Sequence, residues 1–269
     1  SRHDISDENW AIIGPMLAKF SMETRGWKRK DDRLMFNAIL WIMKTGAPWR
    51  DLHPELGPWK TVHKCFLEWA RLEVRDDILR MLSINADPEA IILMPPLLSC
   101  TGTVPAQKGA FNHDVGRSKG GLATKIHAVV DALGNPLRIH LTAGNVHDIV
   151  PACGLIECLL AEKLLADRAY TANKLFALAE RQSHEVAIPP VKGILLQREY
   201  ATHAYKERHL VECFFAKIKS FRRAATRYDK LSITFKASVM LAAMNYLETF
   251  PSYFLTLSQK VKIGLENIF

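Results

Sequence analysis

Through the first 72 residues apolar positions recur every three or four places, which is the spacing of a helix face; past about residue 90 they close into short dense runs. Ser6 is placed to cap a first helix carrying Trp10, Ile13 and Leu17. RLMFNAILWIMKTG predicts a second helix, ended by Gly46 and Pro48. GPWKTVHKCFLEWARLEV predicts a third, with Val62, Phe66, Trp69 and Leu72 on one face. SINADPEAIILMPP reads as a linker. From residue 97 the runs LLSCTGTV, TKIHAVVDALGNP, PLRIHLTAG, KLLADRAY and EVAIPP predict strands, with GNP as a hairpin turn and TANKLFALAERQS as a helix between the last two. Residues 190–204 read as a loop, 205–223 as a long amphipathic helix, and VMLAAMNYL as a core helix. The expected fold is α/β, a mixed sheet flanked by helices and preceded by an all-α, helix-turn-helix-like domain. The expected boundaries are a helical domain over 1–85, a linker over 86–96, an α/β domain over 97–250 and a tail over 251–269. The sequence contains no internal repeat and no low-complexity segment.

Composition adds to this picture without overturning it. All six tryptophans fall within the first 69 residues, which supports the division into two domains. With 269 residues, 48% of them hydrophobic, there is material for a real core. Thirty-six Lys and Arg against 28 Asp and Glu give a net charge of +8, which suits a polyanionic partner but is common among ordinary basic proteins. No apolar run reaches the roughly 18 residues needed to span a bilayer, and SRHDISDENW lacks a signal peptide's hydrophobic stretch. The five cysteines (65, 100, 153, 158, 213) never form CxxC. They indicate neither a disulfide framework nor a zinc site, and the expected compartment is the cytosol.

Candidate chemistry gathers on the late helix. At 100° per residue, Tyr205, Arg208, Glu212 and Lys219 share a stripe roughly 60° wide, opposite Leu210, Phe214, Ile218 and Phe221. A solvated amphipathic helix would look the same. A second acid, Asp167, closes the apolar strand LLAD, where side chains emerge as ligands often require; a turn or helix-capping aspartate is the plain alternative. Together Asp167 and Glu212 would supply the hard oxygen donors that Mg²⁺ prefers, with Arg208 and Lys219 flanking a scissile phosphate and Tyr205 beside it. Lys60, Thr61, His63 and Lys64 stand near the start of the third helix, where a recognition helix would meet DNA; a plain helical bundle is the alternative. Lys217, Lys219, Arg222, Arg223, Arg227 and Lys230 stand against the single acid Asp229 and read as a DNA-backbone track, or else as a basic surface. Lys125 and His127 alternate on a strand after GRSKGG and could reach phosphate, although a solvated sheet face is the favoured reading.

The spacing Tyr205-x2-Arg208-x3-Glu212-x6-Lys219 resembles the tyrosine-arginine-glutamate-lysine signature of bacterial insertion-sequence transposases. The chain is similar to the insertion-sequence-five family, related to the Harbinger transposases. Seven blocks carry the likeness in order: SRHDISDENWAIIGPML, TGAPWRDL, GPWKTVHKCFLEWA, GRSKGGLATKIHAVVDALGNP, LLADRAY, YKERHLVECFFAKIKSFRR and ATRYDKL. The resemblance implies an RNase-H-like catalytic domain whose active site is two aspartates and a glutamate, the second aspartate being Asp167 and the glutamate Glu212. It implies Mg²⁺ or, in its place, Mn²⁺, and double-stranded DNA as partner, both inverted-repeat ends and target. It also implies a homodimer and a bacterial, nucleoid-associated cytoplasmic location. The chain departs from the family at the first aspartate. The strand expected to carry it reads LLSCTGTVPAQ, so the vacated position aligns with Ser99 or with Cys100, and a family histidine after it is also missing. Asp114, Asp131 and Asp148 are conceivable replacements, each from another block. The expectation is a transposase with impaired strand cleavage; the alternatives are a DNA-binding remnant and a metal nuclease without strand transfer.

Overall fold

The computed structural model describes residues 4–21, 31–71, 89–93, 96–101, 114–189 and 209–247. The chain divides into two compact units: Ser1–Asn85 with Ile218–Ala225 and Ile233–Phe269, and Ala86–Lys217 with Thr226–Ser232.

The first unit is helical. Its elements are α1 (Asp7–Ser21), α2 (Asp32–Thr45) and α3 (Trp59–Arg71), with 3₁₀ turns at Trp49–Asp51 and Pro54–Leu56. Ser6 Oγ accepts the Asn9 N–H at 3.2 Å, as a cap should. The Asp31 carboxylate accepts from the amides of Arg33 and Leu34 at the start of α2. Gly46 closes α2 with φ 71°, and its N–H returns to the Ile42 carbonyl. The core is aromatic: Trp10, Phe36 and Trp69 follow one another at ring separations of 6.0 and 6.3 Å, over buried Ile13, Leu17, Ile39 and Val62. Leu72, expected on the same face of α3, lies outside the described residues.

The second unit is built on one mixed sheet. Its strands are β1 (Ala90–Leu93), β2 (Leu97–Thr101), β3 (Gly116–Ser118), β4 (Gly121–Asp131), β5 (Pro136–Ala143), β6 (Lys163–Ala166), β7 (Glu185–Ala187) and β8 (Thr226–Arg227). The helices α4 (Ile149–Ile156) and α5 (Asn173–Arg181) lie in this unit, α6 (His209–Ser220) belongs largely to it, and α7 (Arg222–Ala225) and α8 (Ser232–Leu247) follow. One path runs β7-β6-β1-β4-β2-β8. β5 pairs with Thr124 through Val130, and so overlaps on β4 the partners of both β1 and β2; it must occupy β4's other edge. The order β5-β4-β1-β6-β7, with β4 antiparallel to its neighbours and β1, β6 and β7 parallel, is the RNase-H-like arrangement. The β4–β5 hairpin forms at the GNP turn as expected, and β6-α5-β7 is the expected strand-helix-strand unit.

Residues 90–93 correct the reading of 86–96 as a linker. Ala90, Ile91, Ile92 and Leu93 are fully buried in the middle of the sheet. β1 and β2 lie in sequence along the same edge of β4, with a one-residue change of register: Leu93 faces Val129, and Leu97 faces Ile126. Pro95 and Pro96 between them lack the N–H that a continuous ladder would need. On one sheet face Ile91, Leu93, Val129, Leu164 and Ala166 pack with α4 and α5 through Ala152, Leu155, Leu175 and Ala179. The single helix expected over 205–223 is, within the described residues, α6 followed after Phe221 by the four-residue α7.

Candidate active site

Asp167 directly follows β6 and is partly exposed. Its Oδ1 accepts the Arg168 N–H at 2.7 Å, and so caps the 3₁₀ turn Arg168–Tyr170. The capping role weighed as the plain alternative is therefore present, and it coexists with a carboxylate at the C-terminal end of a parallel strand, the usual ligand end of such a sheet. β6 is held in place by β1, with Ala166 facing Leu93, and by β7.

The same unit holds an enclosed polar group. Lys125 Nζ donates to Asp148 Oδ1 and to the Val146 carbonyl, each at 2.7 Å. The pair is largely enclosed, with side-chain exposures of 18% and 23%. His127 is fully buried, and its Nε2 lies 2.7 Å from Thr142 Oγ1. Burial lowers its pKa to about 4, with Asp148 opposing the shift and His140 and Lys125 adding to it, so the imidazole is neutral at pH 7. Neither Lys125 nor His127 is thus available as a phosphate-binding cation. The Tyr170 hydroxyl is fully buried; burial first, then Asp148 and Asp167, pushes its pKa well above the usual phenol range. Asp148 and Asp167 therefore act on one phenol, a proximity for which the sequence offered no motif. Asp131 is excluded as a spare ligand: its Oδ1 accepts from the amides of Leu133 and Asn135 and its Oδ2 from Asn135 Nδ2, closing the hairpin.

Glu212 stands exposed in the first turn of α6, while Phe214 and Phe215 two and three residues on are buried. Lys219 is exposed on the same helix, two turns on, about 10.5 Å along the axis. Tyr205 and Arg208 lie outside the described residues. Among the described residues no group of three or more His, Cys, Asp or Glu converges as a metal cage. Carboxylates are the donors Mg²⁺ prefers, so Asp167 and Glu212 fit it in kind, while their number falls short of the family's three acids.

Ser99 is fully buried on β2 and faces Thr124; Cys100 faces Ala123. β2 pairs with β4 and β8, whereas the strand beside β6 is β1. On β4 the partners of Leu93 and Ser99 are five residues apart, about 17 Å of strand. The expected location of the missing first aspartate thus lies well along the sheet from Asp167.

The basic track separates into two kinds of residue. Lys217, Lys219, Arg222 and Lys230 are exposed. Arg223 is buried, donates to the Ala47 carbonyl at 3.0 Å and lies over the Trp49 ring. Arg227 is fully buried; it donates to the carbonyls of Asp229 and Lys230 at 3.0 Å each and to Thr124 Oγ1. These two are corrections to the DNA-contact expectation, since both guanidiniums are occupied inside their units. On α3, Lys60, Thr61 and Lys64 are exposed, and His63 packs against Trp49 at 4.8 Å. Lys60 and Arg50 both lie over the ring of Trp59, at 5.8 and 5.9 Å. Arg50 is exposed and was not singled out from the sequence, where it sits in TGAPWRDL away from α3.

An RNase-H-like sheet with an acid at the end of its central parallel strand, preceded by a helical unit, is the architecture of a DDE transposase. Residues 97–247 match the family described as "Transposase DDE domain", and residues 5–79 match "Putative transposase of IS4/5 family". The chain belongs to the insertion-sequence DDE transposases. It is 38% identical over 125 residues to the "Putative transposase for insertion sequence element IS6501" of Brucella ovis, covering 45% of this chain and 95% of that protein. It is also 30% identical over 89 residues to "Uncharacterized protein y4sN" of Sinorhizobium fredii, covering 33% of this chain and 70% of that one. Among the described residues no helix is long and apolar enough to cross a membrane.

Proposed function

We propose that this chain binds the inverted-repeat ends of its element as a bacterial, nucleoid-associated homodimer, and that Asp167 and Glu212 are its surviving metal ligands for phosphodiester cleavage and strand transfer. The observation that carries this is Asp167 at the C-terminal end of β6 in an RNase-H-like sheet. Mg²⁺, or Mn²⁺ in its place, would supply activation of the attacking water or 3′-hydroxyl and offset charge on the leaving oxygen. Asp167 is oriented by its bond to the Arg168 amide, and Lys219 and Arg208 would offer donors to the phosphate, with Tyr205 alongside. Lys60, Thr61 and Lys64 on α3, together with Lys217 and Arg222, would contact DNA.

Strand cleavage is impaired in this copy. Leu93 faces Ala166, the residue before Asp167, so an acid partnering Asp167 belongs just past Leu93. Residues 94–96 are Met, Pro and Pro. Losing one bridging carboxylate costs orders of magnitude in rate, because metal positioning carries much of this chemistry. The same absence favours a second reading, a DNA-binding remnant without catalysis.

The test is nicking of an element-end duplex with Mg²⁺ or Mn²⁺. Weak cleavage that Asp167→Ala abolishes supports an impaired enzyme, and metal-independent binding without cleavage supports the remnant. Robust cleavage by the chain as it stands contradicts impairment. Met94→Asp, Ser99→Asp and Cys100→Asp, made separately, locate the vacancy: recovery only at 94 agrees with the β1–β6 register, and recovery at 99 or 100 overturns it.

A further inference from the structure

The turn joining β3 to β4 carries Lys119 and Gly120 between Ser118 and Gly121, which face each other as the last pair of the hairpin. Arg117, Lys119 and Gly120 are all exposed. No acid occurs from Val115 to Val130, so the tip's charge is uncompensated along its own strands. The turn is internally braced, because Ser118 Oγ donates to the Gly121 carbonyl at 3.0 Å and accepts the Gly120 N–H at 3.2 Å.

The glycines around this hairpin have different reasons to be glycine. A Cβ on Gly116 would sit 2.0 Å from Asn145 Oδ1, and one on Gly144 would sit 2.9 Å from the Ala123 carbonyl oxygen, so the base of the hairpin is packed too tightly for a side chain. Gly121 has φ +111°, a conformation other residues rarely adopt. Gly120 has neither reason. Its φ is outside the left-handed region, and the nearest atom to an added Cβ is Ser118 Oγ at an ordinary 3.9 Å. Among the described residues nothing requires a bare backbone there, while a surface pressed directly against the turn would.

We infer that the β3–β4 turn is a DNA-backbone contact, with the bare backbone at Gly120 allowing a phosphate close approach and Arg117 and Lys119 flanking it as donors. The inference rests on the proposal that the chain binds duplex DNA. It adds a contact on the sheet-bearing unit, apart from α3. A braced turn suits this role because little conformational freedom is lost on binding, and Arg and Lys so placed fix position on the duplex without reading bases.

The experiment measures affinity of the full chain for an element-end duplex and for a random duplex across a salt series, for the parent, Arg117→Ala/Lys119→Ala, Gly120→Val and the exposed control Lys174→Ala, with thermal unfolding of each. The double variant is expected to lose about tenfold or more in affinity for both duplexes, and to lower the slope of log K against log salt by about 1.8, two phosphate contacts' worth. Gly120→Val is expected to weaken binding with the slope and the melting temperature unchanged. Parent-like binding by both hairpin variants overturns the inference, as does an equal fall with Lys174→Ala, which would mean that only net charge matters. A parent that binds no duplex at all instead contradicts the underlying DNA-binding proposal.

Discussion

β6 and β2 are strands of the same sheet, one followed by Asp167 and the other carrying Ser99, yet they put those residues to opposite uses. After β6 the acid is partly exposed, accepts the Arg168 backbone amide, and with Asp148 adds to the upward shift of the buried Tyr170 phenol. Midway along β2, Ser99 is sealed in and faces Thr124, whose hydroxyl donates to the Asp114 carbonyl at 2.6 Å and accepts from Arg227. One strand leads into the carboxylate proposed as a ligand; the other belongs to a structural hydrogen-bond network. A polar residue after an apolar run is therefore not a site by virtue of that pattern alone. What the neighbouring strand leaves open decides.

Substitutions around the two strands should separate these roles. The largest effect on stability belongs to Arg227→Met, which removes a fully buried guanidinium and with it the donor to the carbonyls of Asp229 and Lys230 and to the Thr124 hydroxyl. We expect a loss of about 3–5 kcal/mol in urea unfolding. The neighbouring exposed cation Arg222 provides the contrast: Arg222→Ala should stay within about 0.5 kcal/mol of the parent while weakening DNA binding.

The next effect is a pH dependence. His127 is held neutral in the native state with a pKa of about 4, below its ordinary 6.5. In the unfolded chain it binds its proton first, so the stability it contributes is present above pH 6.5 and is lost as the pH falls from there towards 4. The full loss is about 3 kcal/mol. His127→Gln should flatten that part of the stability profile, and an unchanged profile would show that another group governs it.

Much of this was legible in the sequence, for identifiable reasons. Trp10, Ile13 and Leu17 kept helical spacing and proved to be a core edge; GNP marked a real hairpin; LLAD ended a strand in an acid. β1 was hidden because Ala90–Leu93 is only four residues long, stands between prolines, and is buried on both faces, so it shows no alternation. β8 has two residues and no pattern of its own. Arg223 and Arg227 looked like surface cations because charge is visible in a sequence and enclosure is not. The offset of Ser99 from Asp167 depends on how β1 and β2 divide the edge of β4, a long-range register that no local motif encodes.

We propose that Asp167 and Glu212 hold one divalent ion between them. Mn²⁺ binding to the full chain, followed by electron paramagnetic resonance, tests it most directly. We predict a bound Mn²⁺ signal in the parent that Asp167→Ala and Glu212→Gln each abolish while the melting temperature is kept; no binding by the parent, or binding unchanged in either variant, would contradict the account.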